Sequence, residues 1–420
     1  MQILKDFFSF LHCSPTVFHA AETIVSALKK QGFVSLNEEK RWQLEPGQGY
    51  VLTRSNALVT AFKMPDQRPR KTCILASHID SPCLKIKPCP QQSSRSIHQL
   101  NTEIYGAPLL HSWLDRDLYV AGRLSVLDQK GKRVSHLVQF EEFPIIIPQL
   151  ALHLDRSDKD FAVNKQDHLR PIFSLSEKGI QLEDWLKKKI KFQSLSAFDL
   201  FLVPKERPSF VGFESEFIAS YRLDNLTSAF AALYALIEAE AQKEMLQMAF
   251  FWDHEEIGSM SCLGANSCFA NEILERICLS CKMDREDFFC MKNSSICLSS
   301  DLAHGFHPSF SEKYDPQNAP LLGSGPVIKF NANQKYATNS ETAAYVVKLA
   351  KTRQLPLQTF ASRSDIPSGS TVGSIMASQL GMATVDLGIA GWAMHSIRET
   401  IAAQDEIALC ALLKAALEEG

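Results

Sequence analysis

The stretch MAFFWDHEEIGS (248–259) constrains this chain more than any other. An apolar run, Met248 to Trp252, stops abruptly at Asp253, His254, Glu255 and Glu256, and Gly258 follows. A run of that length suits a buried strand. Four ionisable side chains at its mouth would be costly unless something positive lies opposite them. In α/β sheets, chemistry collects at the carboxyl ends of strands, so the chain is searched for other polar groups at equivalent places.

Short apolar runs alternate with helical patterns along the chain, which predicts an α/β fold. Residues 72–80 form a strand ending in a polar turn. Residues 224–243 form an amphipathic helix with Leu226, Ala229, Phe230, Leu233 and Ile237 on one stripe and Asp224 at its N-cap. Helical patterns follow at 268–283, 338–352 and 402–419, and strands at 294–301 and 382–391. Between about 90 and 205 the texture changes to alternating strands and charged turns. PQQSSRS (90–96) opens this region and KERPSF (205–210) closes it. The expectation is a discontinuous domain, 1–90 with 206–420, carrying an inserted domain at 91–205.

With 44 basic and 47 acidic residues the net charge is −3, which offers no broad attraction to nucleic acid or an anionic membrane. The densest basic run, Lys187 to Lys189 with Lys191, fits a solvated helix face. Eleven cysteines without framework spacing, several in apolar runs, fit reduced thiols, and Cys278 and Cys281 have no second pair at zinc-finger spacing. The first twenty residues lack the apolar core of a signal peptide or a membrane span, so a cytoplasmic location is expected.

The polar groups at strand ends are His78 and Asp80, Asp224, Glu255 and Glu256, Asp301 and His395. Taken singly, each has an ordinary reading as a hydrogen-bonded histidine, a helix cap or a solvated acid. Together they supply nitrogen and oxygen ligands suited to zinc, cobalt or manganese. Two metals about 4 Å apart need a bridging carboxylate, a His and a carboxylate each, and a free carboxylate as base. The residues fit that count with one Glu left over. Asp80, two residues from His78 and on the same strand face, is placed to orient the imidazole.

RLDN (222–225), DHEEIGS (253–259), SSDLAHGFHP (299–308), GPVIKFNANQKYATN (325–339) and AMHSIRE (393–399) resemble the M18 metallopeptidases, the aspartyl aminopeptidase family. SPTVFHA (14–20) and SHIDSPCLKIKP (77–88) agree, so the resemblance runs nearly end to end in the same order. It implies a mixed-sheet co-catalytic zinc-peptidase domain with a smaller, β-rich inserted dimerisation domain. It assigns His78, Asp224 and Asp301 to one metal, and Asp224, Glu256 and His395 to the other, with Asp224 bridging. Glu255 is then the general base. Lys329 matches the lysine that receives an acidic side chain, and Tyr336 and His304 line the same pocket. His153 matches a histidine sent into the neighbouring subunit's site, a direct metal-ligand role being the alternative.

The implied function is removal of N-terminal residues, preferentially Asp or Glu, from peptides by a metal-activated water. The alternatives are a broad-specificity co-catalytic aminopeptidase, an N-acyl amino acid amidohydrolase, or an inactive shell-forming scaffold. The resemblance also implies a homo-oligomer, a dodecamer of dimers. Gln149 and Asn318 depart from the pattern, since relatives carry His at these places; the difference bears on selectivity. SRSDIPSGSTVG (362–373) is similar to the family's glycine-rich substrate loop, whose small residues allow close backbone approach. It lacks the GxxxxGK pattern of a phosphate loop.

Overall fold

A computed structural model describes residues 2–154, 163–175 and 181–419. By their contacts these residues divide into two units. The first comprises Met1–Asp80, Pro208–Met394 and Glu399–Gly420; the second comprises Ser81–Arg207 with the short stretch His395–Arg398. The polar break at 90–96 is not the boundary. It is a hairpin turn between the strands Cys83–Ser94 and Ile97–Tyr105, with Arg95 in the left-handed region at φ 54°.

Unit 1 is built on a nine-stranded sheet. Its centre is four parallel neighbours in the order Met245–Trp252, Lys71–His78, Ile296–Ser300 and Ala383–Gly388. Antiparallel strands Leu58–Lys63 and Val327–Phe330 flank them. Parallel strands covered on both faces read as continuous apolar runs. Met245–Trp252 does so, with every residue buried. Alternation then decides which face each side chain meets. Leu246, Met248, Phe250 and Trp252 join one core cluster with Phe269, Ile273 and Ile277 of the helix Phe269–Ser280. Phe250 and Trp252 stack at 5.1 Å, and both meet the Phe269 ring edge-on at about 6 Å. Gln247 points to the other face and donates to Leu417 O at 2.7 Å, at the end of the helix Ala403–Glu419. That helix packs with Leu223–Glu238.

The helical pattern expected at 268–283 is shorter, Phe269–Ser280, and a second helix, Arg285–Asn293, follows it. A capping box starts the latter: the Asp284 side chain accepts from Asp287 N, and Asp287 accepts from Asp284 N. A smaller five-stranded sheet in unit 1 joins Ser209–Val211, Phe217–Ser220, Glu399–Ala402, Ala390–Trp392 and Ala303–His304.

Unit 2 is an antiparallel six-stranded sheet, ordered Arg133–Gln139, Leu118–Leu127, Ser194–Pro204, Cys83–Ser94, Ile97–Tyr105 and Ile172–Leu175. Trp185, on the short helix Leu182–Leu186, stacks on Phe140 at 4.6 Å.

Phe250 is fully buried between two aromatic neighbours, so Phe250→Ala should lower unfolding free energy by about 3–5 kcal/mol in a denaturant titration.

Candidate active site

The register of the parallel strands places Trp252 beside His78, so the turn after Trp252 emerges next to that histidine. His78 is the last residue of its strand, and Asp301 follows the last residue of the adjoining one, Ser300. Asp224 enters from the helix Leu223–Glu238. It does not cap the helix as a side-chain acceptor; it and Asn225 hold non-helical backbone angles within that span. The unwound start turns the Asp224 carboxylate away from the helix and toward His78, with Oδ1 at 3.4 Å from Nε2.

Three other carboxylates close on the same ring. His78 Nε2 lies 3.8 Å from Asp301 Oδ1 and 3.9 Å from Glu255 Oε2, while Nδ1 lies 3.1 Å from Asp80 O and 3.4 Å from Asp80 Oδ1. Asp80 therefore occupies the Nδ1 edge, leaving Nε2 to face Asp224, Asp301 and Glu255. Its two oxygens do a second job as well. Oδ1 accepts from Glu255 N at 3.2 Å, and Oδ2 from Glu256 N at 3.1 Å.

The glutamates sit on a single tight turn, Glu255–Ile257, bounded by His254 at φ 63° and Gly258 at φ 92°. Gly258 takes the left-handed angle that side chains resist, which lets the chain leave the turn at once. Asp253 and His254 brace this turn. Asp253 is buried and accepts from His254 N at 2.8 Å, and His254 Nδ1 lies 2.7 Å from Ser261 Oγ.

Within unit 1 the ligand-type atoms fall into two groups that share His78, each group within 4.8 Å: His78 with Asp224 and Asp301, and His78 with Glu255 and Glu256. His395 itself lies in the connection between Ala390–Trp392 and Glu399–Ala402, at φ 69°, with Nδ1 3.0 Å from Ala107 O.

Electrostatics expose what this donor set lacks. Burial pushes the Glu255 carboxyl up to about 8; Asp301, Asp80 and Asp224 add to that, and only His78 opposes them. Burial also drives Glu256 well above the usual carboxylate range, with Asp224 and Glu255 raising it further. For His78, burial favours the neutral ring, but Asp224, Asp301 and Asp80 outweigh it and hold the imidazole well above its ordinary value. So much buried negative charge with a single imidazole to meet it fits divalent cations, and one His with several carboxylates suits zinc.

Lys329, on Val327–Phe330, is 2% exposed; its Nζ donates to Leu302 O at 2.9 Å and lies 5.5 Å from the Tyr336 ring centre. Leu302 directly follows Asp301, so the lysine is bonded to the backbone one residue beyond that carboxylate. Tyr336 is buried against Phe360, whereas His304 is exposed and meets Phe360 edge-on. The remaining sequence-selected residues have surroundings of their own. In unit 2, His153 is exposed in a turn, and exposed Gln149 donates to Asp115 Oδ2 at 2.8 Å. Asn318 donates to Asp315 Oδ1 at 2.8 Å.

Sequence reasoning passed over Asp386, which is fully buried on Ala383–Gly388. It accepts from Thr371 Oγ1 at 2.5 Å, at the end of the glycine-rich stretch, and from Ala337 N at 2.6 Å, beside Tyr336. An acid inside the otherwise apolar run MATVDLGIAG was the available signal.

The whole chain has counterparts. A family profile described as aminopeptidase I zinc metalloprotease (M18) matches residues 10–416. A protein of Pseudomonas syringae pv. syringae (strain B728a), described as a probable M18 family aminopeptidase 2, is 38% identical over 425 residues, covering 99% of this chain and 97% of its own. Among solved structures, a chain in the cryo-EM structure of the Ape4 and Nbr1 complex superposes with a TM-score of 0.93. It is 33% identical and covers 99% of this chain and 85% of its own. The S. cerevisiae mApe1 dodecamer superposes at 0.86 with 26% identity, covering 98% and 95%.

A raised Glu255 pKa means that the metal-free native chain binds more protons than the unfolded chain between about pH 4.5 and 8. The Glu255 contribution to metal-free stability therefore falls as pH rises through that window. Zinc loading must displace those protons. Zinc affinity should rise from pH 6 to 8, and calorimetry at pH 7 in buffers of different ionisation heat should show net proton release.

Proposed function

Because the chain belongs to the M18 zinc metalloprotease family of aminopeptidases, we propose that it removes acidic N-terminal residues from peptides, with two metal ions bound and Glu255 as general base. The observation that carries this reading is the convergence of donors on one imidazole: His78 occurs both in the group with Asp224 and Asp301 and in the group with Glu255 and Glu256. Asp224 would be the ligand common to both ions, as the family resemblance implies. Metal bound there supplies Lewis acidity, lowering the pKa of a water and polarising the scissile carbonyl.

The protein's own groups do the rest. Glu255 takes the water proton and returns it to the departing amine. Asp80 holds the turn by the N–H groups of both glutamates, so base and ligand keep a fixed separation. Lys329 favours an acidic side chain because a buried ammonium bonded to one carbonyl and resting on an aromatic face gains most from an anion. Tyr336 and His304 line the same pocket in this reading.

Unit 2 is the proposed dimerisation domain, the exposed side chains of Leu150, Leu152 and Leu154 supplying apolar surface. His153, within that stretch, reaches the site of a neighbouring copy. A dodecamer of dimers accords with the assembly of the S. cerevisiae relative. The eleven free cysteines suit a reducing, cytoplasmic setting.

Glu255→Gln should retain zinc and lower kcat by about 10²–10⁴-fold; near-wild-type turnover of an Asp-peptide would refute the base assignment. Lys329→Ala should reduce the Asp-over-Leu preference in kcat/KM by about 10–100-fold, the worth of a hydrogen bond to a charged group. Light scattering should give a mass near twelve copies of the 47.0 kDa chain, and a monomer would overturn the assembly.

A further inference from the structure

The four residues RLDN at 222–225 do more than deliver one carboxylate. Arg222, buried, donates from its guanidinium to Ile79 O, between His78 and Asp80. The Asp224 N–H donates to Glu399 Oε2 at 2.8 Å. Asn225, with no exposure, donates from Nδ2 to Ser300 O at 2.9 Å, the residue before Asp301. One tetrapeptide thus reaches three other segments of unit 1: the end of Lys71–His78, the end of Ile296–Ser300, and the strand Glu399–Ala402.

We propose that Asn225 and Glu399 are positioning residues of the metal centre, holding Asp224 from its two sides so that its carboxylate is placed before any ion arrives. The proposal rests on the reading that Asp224 is the bridging ligand. The backbone argues for it. Asp224 and Asn225 lie outside helical angles, so regular helix bonding does not set the direction of the Asp224 side chain. Side-chain tethers must do so. Glu399 lies opposite Ser220 in the antiparallel pair that leads into the tetrapeptide, which puts its carboxylate within reach of the Asp224 N–H. One turn further along the helix, Ser300 Oγ donates to Ser228 Oγ at 3.0 Å, a second link between the two elements that Asn225 joins.

The choice of side chain fits the task. An amide supplies the N–H without charge. Removing that donor would leave the buried Ser300 carbonyl short of a partner, which is expensive. The tethers matter most in the metal-free chain, where hydrogen bonds rather than ligand bonds hold this turn in place.

The test measures zinc affinity by chelator competition, with circular dichroism as a check on folding. Asn225→Ala and Glu399→Ala should each bind zinc about 10–100-fold more weakly, the usual consequence of removing an outer partner of a ligand. Glu399→Gln, which keeps an acceptor for the Asp224 N–H, should recover affinity to within several-fold of wild type. At saturating zinc the alanine variants should keep the wild-type KM. Unchanged zinc affinity in both alanine variants, or Glu399→Gln as weak as Glu399→Ala, overturns the proposal. If Asn225→Ala does not fold, the Glu399 pair decides alone. Asp224→Ala separates the two levels. Wild-type affinity in that variant removes Asp224 as a ligand, whereas zinc lost there but kept in Asn225→Ala and Glu399→Ala removes only the positioning role.

Discussion

The cost of burying several acids side by side is the constraint around which unit 1 is arranged. Asp80, Asp224, Glu255, Glu256 and Asp301 surround one imidazole, and the environment holds Glu255 and Glu256 far above the pH range where carboxyls normally ionise. Such a cluster persists only on a stiff support. The support is a set of parallel strands buried on both faces, with the acids confined to the short turns beyond their ends. Hydrogen bonds from backbone N–H groups to Asp80 and Glu399, and from Asn225 to a carbonyl, fix those turns against one another.

Much of this was legible in the sequence because the transition from apolar to ionisable is abrupt at each strand end. His78, Glu255, Glu256 and Asp301 all follow that pattern, and the sheet brings them together. The tethers were not legible. Asn225 and Glu399 look like any polar residue in a helix start or a strand, and only the crossing of distant segments gives them partners. Asp386 was hidden by the apolar run around it. The helix Arg285–Asn293 was passed over because it is short and opens on three charged residues, although the acids at 284 and 287 have the spacing of a capping box. The inserted region begins ten residues earlier than its most polar stretch suggested, since a hairpin turn and a linker share the same composition.

Lys329 and Asp386 tie separate segments of unit 1 to one another. Burial pushes the Asp386 carboxyl up, while Thr371, Ala337, Ser299 and the Lys329 charge pull it partly back. Asp386 thereby joins the end of the glycine-rich stretch to the segment bearing Tyr336. Lys329 is bonded to Leu302, next to Asp301.

The bond from Glu255 N to Asp80 spans 175 positions of chain, and the whole of Ser81–Arg207 is threaded between its ends. Joining such remote segments requires closing a very long loop, so contacts of this kind form late in folding. Asp301 is the last of the clustered carboxylates in chain order, so a nascent chain that has not yet reached it holds only part of the cluster, and the enclosing turns have nothing to close upon.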